Sequence, residues 1–363
     1  MTLFNRLTLS LCIFTITVNA QTDSSSWSKK PEVSCSGLVD FYYAYDFNES
    51  TTANRQPFLY NHNRHNEFNL NLGILKVSAK HLKYRANLAF HAGTYVVDNY
   101  AAEPAALQHI YESNIGLSLN KKNNLWLDAG IFGSHIGFES AISKDCWTLT
   151  RSLLAENSPY YLSGVKLTYN PNAHWEFAAI ICNGWQRIKK VSGNSLPSFG
   201  SQIKYFKGDK LTVNWSTFIG TDDPDTARRM RYFNNLYLQV QLTKKIGFIA
   251  GFDIGEQQSK KYSSKYNTWF SPIIILRNSF TNKWSASIRA EHYQDKDEVI
   301  ISTLTPKGFQ TSGLSLNIDY LPSKNIACRM EGRWLKSADK IFQKQNKNVA
   351  DNFAVVNSIA ISF

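Results

Sequence analysis

His292 and Ser312 would form a base and a nucleophile if the fold set them side by side. A serine activated by an imidazole is the minimum for acyl transfer, and it requires a third group to orient the ring. No orienting Asn or acid is evident nearby. His62 and His65, in the stretch NHNRH, lack acidic or thiol partners at ligand spacing, so a solvated loop is expected there rather than a metal centre. Cys35, Cys146, Cys182 and Cys328 are scattered without a CxxC pair, which removes zinc and thioredoxin-type readings. The chain contains no HExxH, no GxxxxGK and no GxGxxG. Its most regular charged pattern is Arg329, Glu331, Arg333. Spacing of two places all three on one face of a strand, a ladder of charge along a wall.

Such a wall has to be built by strands, and the sequence supplies them after a leader. Arg6, the apolar run Leu7–Val18 and the small-residue site Val18-Asn19-Ala20 predict an export signal over 1–20. About 12 apolar residues are too few to cross ~30 Å of hydrocarbon, and no later run approaches helical spanning length. Residues 21–36 read as a periplasmic tail and 37–363 as one domain without a linker. From there apolar and polar residues alternate. Val39, Phe41, Tyr43, Tyr45 and Phe47 oppose Asp40, Tyr42, Ala44, Asp46 and Asn48. Phe68, Leu70, Leu72 and Ile74 oppose Asn69, Asn71 and Gly73. Tyr84, Ala86, Leu88 and Phe90 oppose Arg85, Asn87 and His91. The segments run to about ten to twelve residues, longer than average soluble strands and near the ~9–11 that a tilted membrane strand needs.

The connections distinguish a membrane barrel from a soluble sandwich. Short links fall at 80–83, 120–124, 170–174, 207–209, 243–245, 278–282 and 321–325, and longer polar stretches separate them. Seven short turns and eight long loops predict an all-β, closed antiparallel transmembrane barrel of sixteen strands, with short turns periplasmic and long loops extracellular. Aromatic residues beside the short turns (Tyr84, Tyr169, Trp175, Tyr205, Trp284, Tyr320, Phe363) fit an interfacial girdle. The segment ending Ile359, Ile361, Phe363 is expected to pair with the strand near Val39, removing both sheet edges.

The chain carries a net charge of +12, which prompts a nucleic-acid reading. The excess is instead concentrated in the short turns, where Lys80, Lys83, Lys121, Lys122, Lys207, Lys210, Lys244, Lys245, Lys283 and Lys324 face only Asp209. That is a ring at one rim, not a groove, and no nucleic-acid motif accompanies it. The inner face presents Arg85, Asp128, Lys166, Lys204, Arg289, Glu291, Arg329, Glu331 and Arg333. Charges facing a cavity need water or partners, and sixteen strands enclose too wide a lumen to fill with wall side chains. A water-filled, pore-lining role is expected for the set, with anion or cation preference left open.

The longest loop, SHIGFESAISKDCWTLTRSLLAENSP (134–159), is half apolar, as a segment packed on something would be. It is therefore the candidate for an inward-folded constriction bearing Glu139, Lys144, Arg151 and Glu156. A Cys146–Cys182 bridge is conceivable on position. The block GIFGSHIGFESAISKDCWTLTRSLLAENSPYY, with NGWQRI at 183–188, resembles the OmpL-like family of outer-membrane β-barrel porins. That resemblance implies passive diffusion of small hydrophilic solutes, assembly by the barrel machinery that reads a terminal aromatic residue, no cofactor and no catalytic residues. It leaves open three barrels per assembly, a surface adhesin or receptor role, and a barrel-wall lipid hydrolase built on His292 and Ser312.

Overall fold

The structure is a computed structural model that describes residues 27–49 and 51–363; the leader 1–20 lies outside the described residues. Alternation along the chain forms strands in an unbroken series: β1 (Glu32–Asp46), β2 (Phe68–Lys80), β3 (Tyr84–Ala92), β4 (Ile110–Ser118), β5 (Leu125–Gly133), β6 (Tyr161–Asn172), β7 (Trp175–Cys182) and β8 (Ser198–Phe206). The second half continues with β9 (Leu211–Gly220), β10 (Arg231–Gln241), β11 (Ile246–Gln258), β12 (Tyr266–Ser279), β13 (Trp284–Asp295), β14 (Phe309–Ser323) and β15 (Ile326–Ser337). A small hairpin, β16 (Phe342–Lys344) and β17 (Lys347–Val349), precedes the closing strand β18 (Asp351–Ser362). Each barrel strand pairs antiparallel with its neighbour, and β18 lies between β15 and β1, so sixteen strands close into a barrel.

Closure follows from the expected register. Leu38 pairs with Ser362, Tyr42 with Ser358 and Asp46 with Ala354. The Phe363 amide and carbonyl extend this ladder to Gly37, whose missing side chain leaves room for the aromatic ring to lie across it. The first strand begins at Glu32, inside the stretch expected to be a tail. Residues 32–37 pair with β2 from Lys80 to Leu75, which satisfies their backbone groups and makes them part of the wall. Strand lengths also depart from the expected uniformity. β3, β4, β5, β7 and β8 have only 8 or 9 residues, whereas β11 to β14 have 12 to 15.

Burial runs opposite to that of a water-soluble sheet. Leu88, Ile115, Val213, Ile288, Leu316, Met330, Trp334 and Ile359 are exposed on the outside, while Asp40, Asn214, Asn235, Arg289, Asn317 and Glu331 are buried within. An apolar exterior of this extent has to meet lipid. Near the short turns, ring pairs such as Trp284–Tyr320 and Trp175–Tyr205 form the expected girdle. One face assignment is reversed. The β1–β2 ladder shifts register between Asp40 and Phe41, leaving Asn71 as an extra residue, and such a bulge moves everything beyond it to the other face. Leu72 and Ile74 are therefore buried inside, and Leu75 and Val77 are exposed outside.

Eight loops join strands at the end opposite the short turns. Loop 1 (47–67) and loop 3 (134–160) enter the lumen. Loop 2 (93–109) carries the short helices α1 (Thr94–Asn99) and α2 (Ala105–Gln108), and loop 3 carries α3 (Leu153–Glu156). With loop 4 (183–197), loop 7 (296–308) and loop 8 (338–350), they build an apolar core within the outer half of the barrel. Phe58 of loop 1 packs on Phe309 and Phe342; Trp185 of loop 4 packs on Phe218 and Phe233.

Candidate functional site: a lumen divided by the third loop

Loop 3 is half apolar because it lies against the wall rather than in water. Phe138, Trp147 and Leu154 pack on Ile249, Ile273 and Ile275. Backbone groups of an irregular segment in a barrel interior need partners, and the charged wall supplies them. The amides of Thr150 and Leu153 donate to Glu331 (2.6 Å) and Glu291 (2.7 Å), and the Leu149 amide donates to Asn317 (3.0 Å). Arg289 donates to the Thr150 carbonyl (2.7 Å), Arg333 to that of Arg151 (3.1 Å), and Arg329 to those of Ser143 (2.5 Å) and Cys146 (3.0 Å). The wall groups pair in turn: Arg289 with Glu331 at 2.7 Å, Arg333 with Glu291 at 2.6 Å and Arg329 with Asp319 at 2.7 Å.

These placements separate the expected pore lining into two sets. Arg289, Glu291, Arg329, Glu331 and Arg333 are all buried; the ladder holds a loop and does not face an open channel. The loop's own charges are likewise withdrawn. Arg151 donates to the carbonyls of Ser140, Leu149 and Ala141. Glu139 accepts from the amide and hydroxyl of Ser152, the N-cap of α3. Glu156 accepts from the amides of Tyr60 (3.0 Å) and Asn61 (3.2 Å), fastening loop 1 to loop 3. Burial pushes the Glu156 carboxyl up to about 7, with Arg151 and the loop 1 amides opposing. Of the expected constriction residues, Lys144 alone stays half-exposed, its ammonium donating to the Ser362 hydroxyl at 3.0 Å.

The second set lines the water-exposed lumen, which loop 3 displaces to the β2–β8 side. Arg85, Asp128, Lys166 and Lys204 surround a chamber of about 480 Å³ together with Glu112, Trp126 and Glu176. A second chamber of about 740 Å³ shares Glu112, Gly133 and Ser134 with it and is lined by Ile74, Lys76, Tyr111, Phe138 and Tyr160. Both reach the short-turn end, the first at Trp126 and Asn170, the second at Asn325 and Ser362. Arg85 makes a forked contact with Asp128 (2.7 and 2.6 Å) and stacks on Trp126; Lys76 pairs with Glu112. Lys76 is the lumen cation that period-two reading misses, since the Asn71 bulge brings it inward.

Above the chambers loop 2 meets loop 4. Glu103 accepts from the Tyr161 hydroxyl and from the amides of Ile188 (2.8 Å) and Lys189 (3.0 Å), while Gln186 donates to Asn99. Tyr95, Tyr100 and Tyr161 are buried beside this contact, with Tyr100 and Tyr161 stacked at 4.1 Å. Nothing in local sequence distinguishes Glu103 from a solvated loop acid.

The remaining candidates are also placed. His62 is not in a solvated loop. It is buried and bonded through Nε2 to Asp40 at 3.1 Å, and burial pushes its imidazole below the ordinary range against the pull of that carboxylate. His292 Nδ1 lies 2.9 Å from the Ser312 hydroxyl on the lipid face, yet among the described residues no acid or amide is bonded to the imidazole's other nitrogen. All four described cysteines are free. Cys146 lies under Arg329 within loop 3, whereas Cys182 packs in the outer-half core with Phe132 and Ile180.

The model of the family described as putative beta-barrel porin-2, OmpL-like, matches residues 32–363. The chain belongs to this family. It is thus an outer-membrane porin, and the short-turn rim is its periplasmic end. The fold is also similar to an anion-selective porin from Comamonas acidovorans, with TM-score 0.62 and 10% identity over 92% of this chain and 100% of that one. The outer-membrane channel DcaP of Acinetobacter baumannii gives TM-score 0.62 and 12% identity, covering 92% and 98%. The OmpF of Salmonella typhi, in its complex with daunomycin, gives TM-score 0.61 and 10% identity over the same shares. No curated protein matches the chain.

Proposed function

We propose that the porin carries small hydrophilic solutes by passive diffusion along the β2–β8 side of its lumen, without chemistry of its own. The observation that supports this path is the pair of water-exposed chambers left between that wall and loop 3, lined by Arg85, Asp128, Lys166 and Lys204. Loop 3 narrows the lumen by its bulk, and the wall charges beneath it fix its position. In planar bilayers the folded protein is expected to give discrete conductance steps smaller than those of a variant lacking 138–156. Equal steps would overturn the assigned path.

Three barrels per assembly is part of this proposal. The outer face of β2–β5 has a recess of about 360 Å³ where Ala79, Ala86 and Ala129 replace the larger residues found elsewhere, and β3, β4 and β5 have only 9 residues each. A solved OmpT of Vibrio cholerae is described as a trimer form, at TM-score 0.56 and 8% identity. Cross-linking in native membranes should give trimers that Ala86→Trp disperses. An adhesin role has no support from loops packed into the lumen. The His292–Ser312 contact keeps a lipid-hydrolase reading testable; lipase activity lost in Ser312→Ala would establish it.

A further inference from the structure

The charges around the smaller chamber are not equally engaged. Asp128 is neutralised by the forked contact with Arg85, and Glu112 by Lys76. Lys166 and Lys204 have no carboxylate within ion-pair distance among the described residues. Their ammonium groups sit instead over aromatic rings, Lys166 4.8 Å from the Phe132 centroid and Lys204 5.2 Å from that of Phe206. A ring face attracts a cation without cancelling its charge, so both ammoniums remain available to an incoming anion. Glu176 is the opposing group. It stands beside Lys204 in the β7–β8 ladder and is bonded only weakly, by Asn170 at 3.4 Å. It offsets one of the two cations. The lining itself holds three cations (Arg85, Lys166, Lys204) and three acids (Glu112, Asp128, Glu176), and the excess of one positive charge is supplied by Lys76, which holds Glu112 from the neighbouring chamber.

The approach to the chamber has the same sign. Nine of the ten short-turn lysines are exposed, the exception being Lys83, which donates to Asn123 at 2.7 Å. A ring of one sign at a low-dielectric mouth raises the local concentration of counter-ions, and rings of lysine select anions in pores.

Resting on the diffusion-channel reading above, we propose that the porin prefers anions and that Lys166 and Lys204 form an internal binding step for small anionic solutes, carboxylate or phosphate in type, entered from a lysine-ringed periplasmic mouth. The exposed ring acts at long range and is screened by salt, whereas the two inner lysines act at contact and persist in salt.

The test is the reversal potential of the full-length folded protein in planar bilayers under a KCl gradient, at low and high ionic strength. The wild type is expected to reverse on the chloride side. Lys166→Gln with Lys204→Gln should move the potential toward zero at both ionic strengths, Lys121→Gln with Lys122→Gln only at the lower, and Lys166→Arg with Lys204→Arg should keep the preference. Inorganic phosphate should reduce chloride current in the wild type and not in the glutamine pair. Heat-dependent gel migration establishes that each variant is folded. Reversal on the potassium side, or a glutamine pair that reverses with the wild type, would overturn the anion site while leaving the channel intact. A folded protein that passes no current would overturn the diffusion reading itself, and the anion site with it.

Discussion

Glu156 is the residue on which two loops converge, and its ionisation ties their docking to pH. Its carboxyl is pushed up to about 7 by burial, so the folded state holds this proton over a range where the unfolded chain has released it. By linkage, this group's contribution is fully present below the ordinary carboxylate range and is lost as pH rises through about 7. His62 acts in the other direction. Its folded value is lowered, so its contribution is present above the ordinary imidazole range and falls as pH drops through the folded value. Protection of the Tyr60 and Asn61 amides, taken as exchange relative to the unstructured chain, should therefore carry a component that falls from about pH 5 to about pH 8 against the opposing His62 trend, and Glu156→Gln should remove that component. An unchanged profile in the variant would assign the effect elsewhere.

Among the elements, loop 3 and the β13–β15 wall form one unit. Replacing Glu331 by Gln takes from buried Arg289 one of its two carboxylates and leaves Glu291 at 3.3 Å, so the cost is bounded by the about 3–5 kcal/mol of a fully broken buried pair. The expected outcome is a lower thermal midpoint in detergent together with larger and noisier conductance steps as the loop leaves the wall. The strands themselves were legible in sequence, since period two and turn chemistry are local properties. All seven short turns and the Leu38–Ser362 closure lie where the pattern places them. The destination of the inward charges was not. Arg329, Glu331 and Arg333 alternate on a strand in the same way whether water or a loop lies against them, and only the three-dimensional path of residues 134–160 decides between the two. The Asn71 bulge was hidden because Leu70-Asn71-Leu72 alternates well in either register.

At the scale of the whole molecule, stability comes from two solvents, lipid outside and packed loops inside. Leu316, exposed at the middle of β14, should be the kind of site where Leu→Arg costs about 2–4 kcal/mol in equilibrium unfolding from bilayers. The same substitution at Leu304, exposed in loop 7, should change that midpoint little.

The apolar core in the outer half joins Phe58, Trp185, Ile301 and Phe342, residues drawn from four separate excursions of the chain. A cut in one excursion leaves both new ends anchored by rings contributed from the others. Proteases reaching intact cells should therefore nick this porin without shedding fragments, and the nicked barrel should still migrate as a single folded species until it is heated.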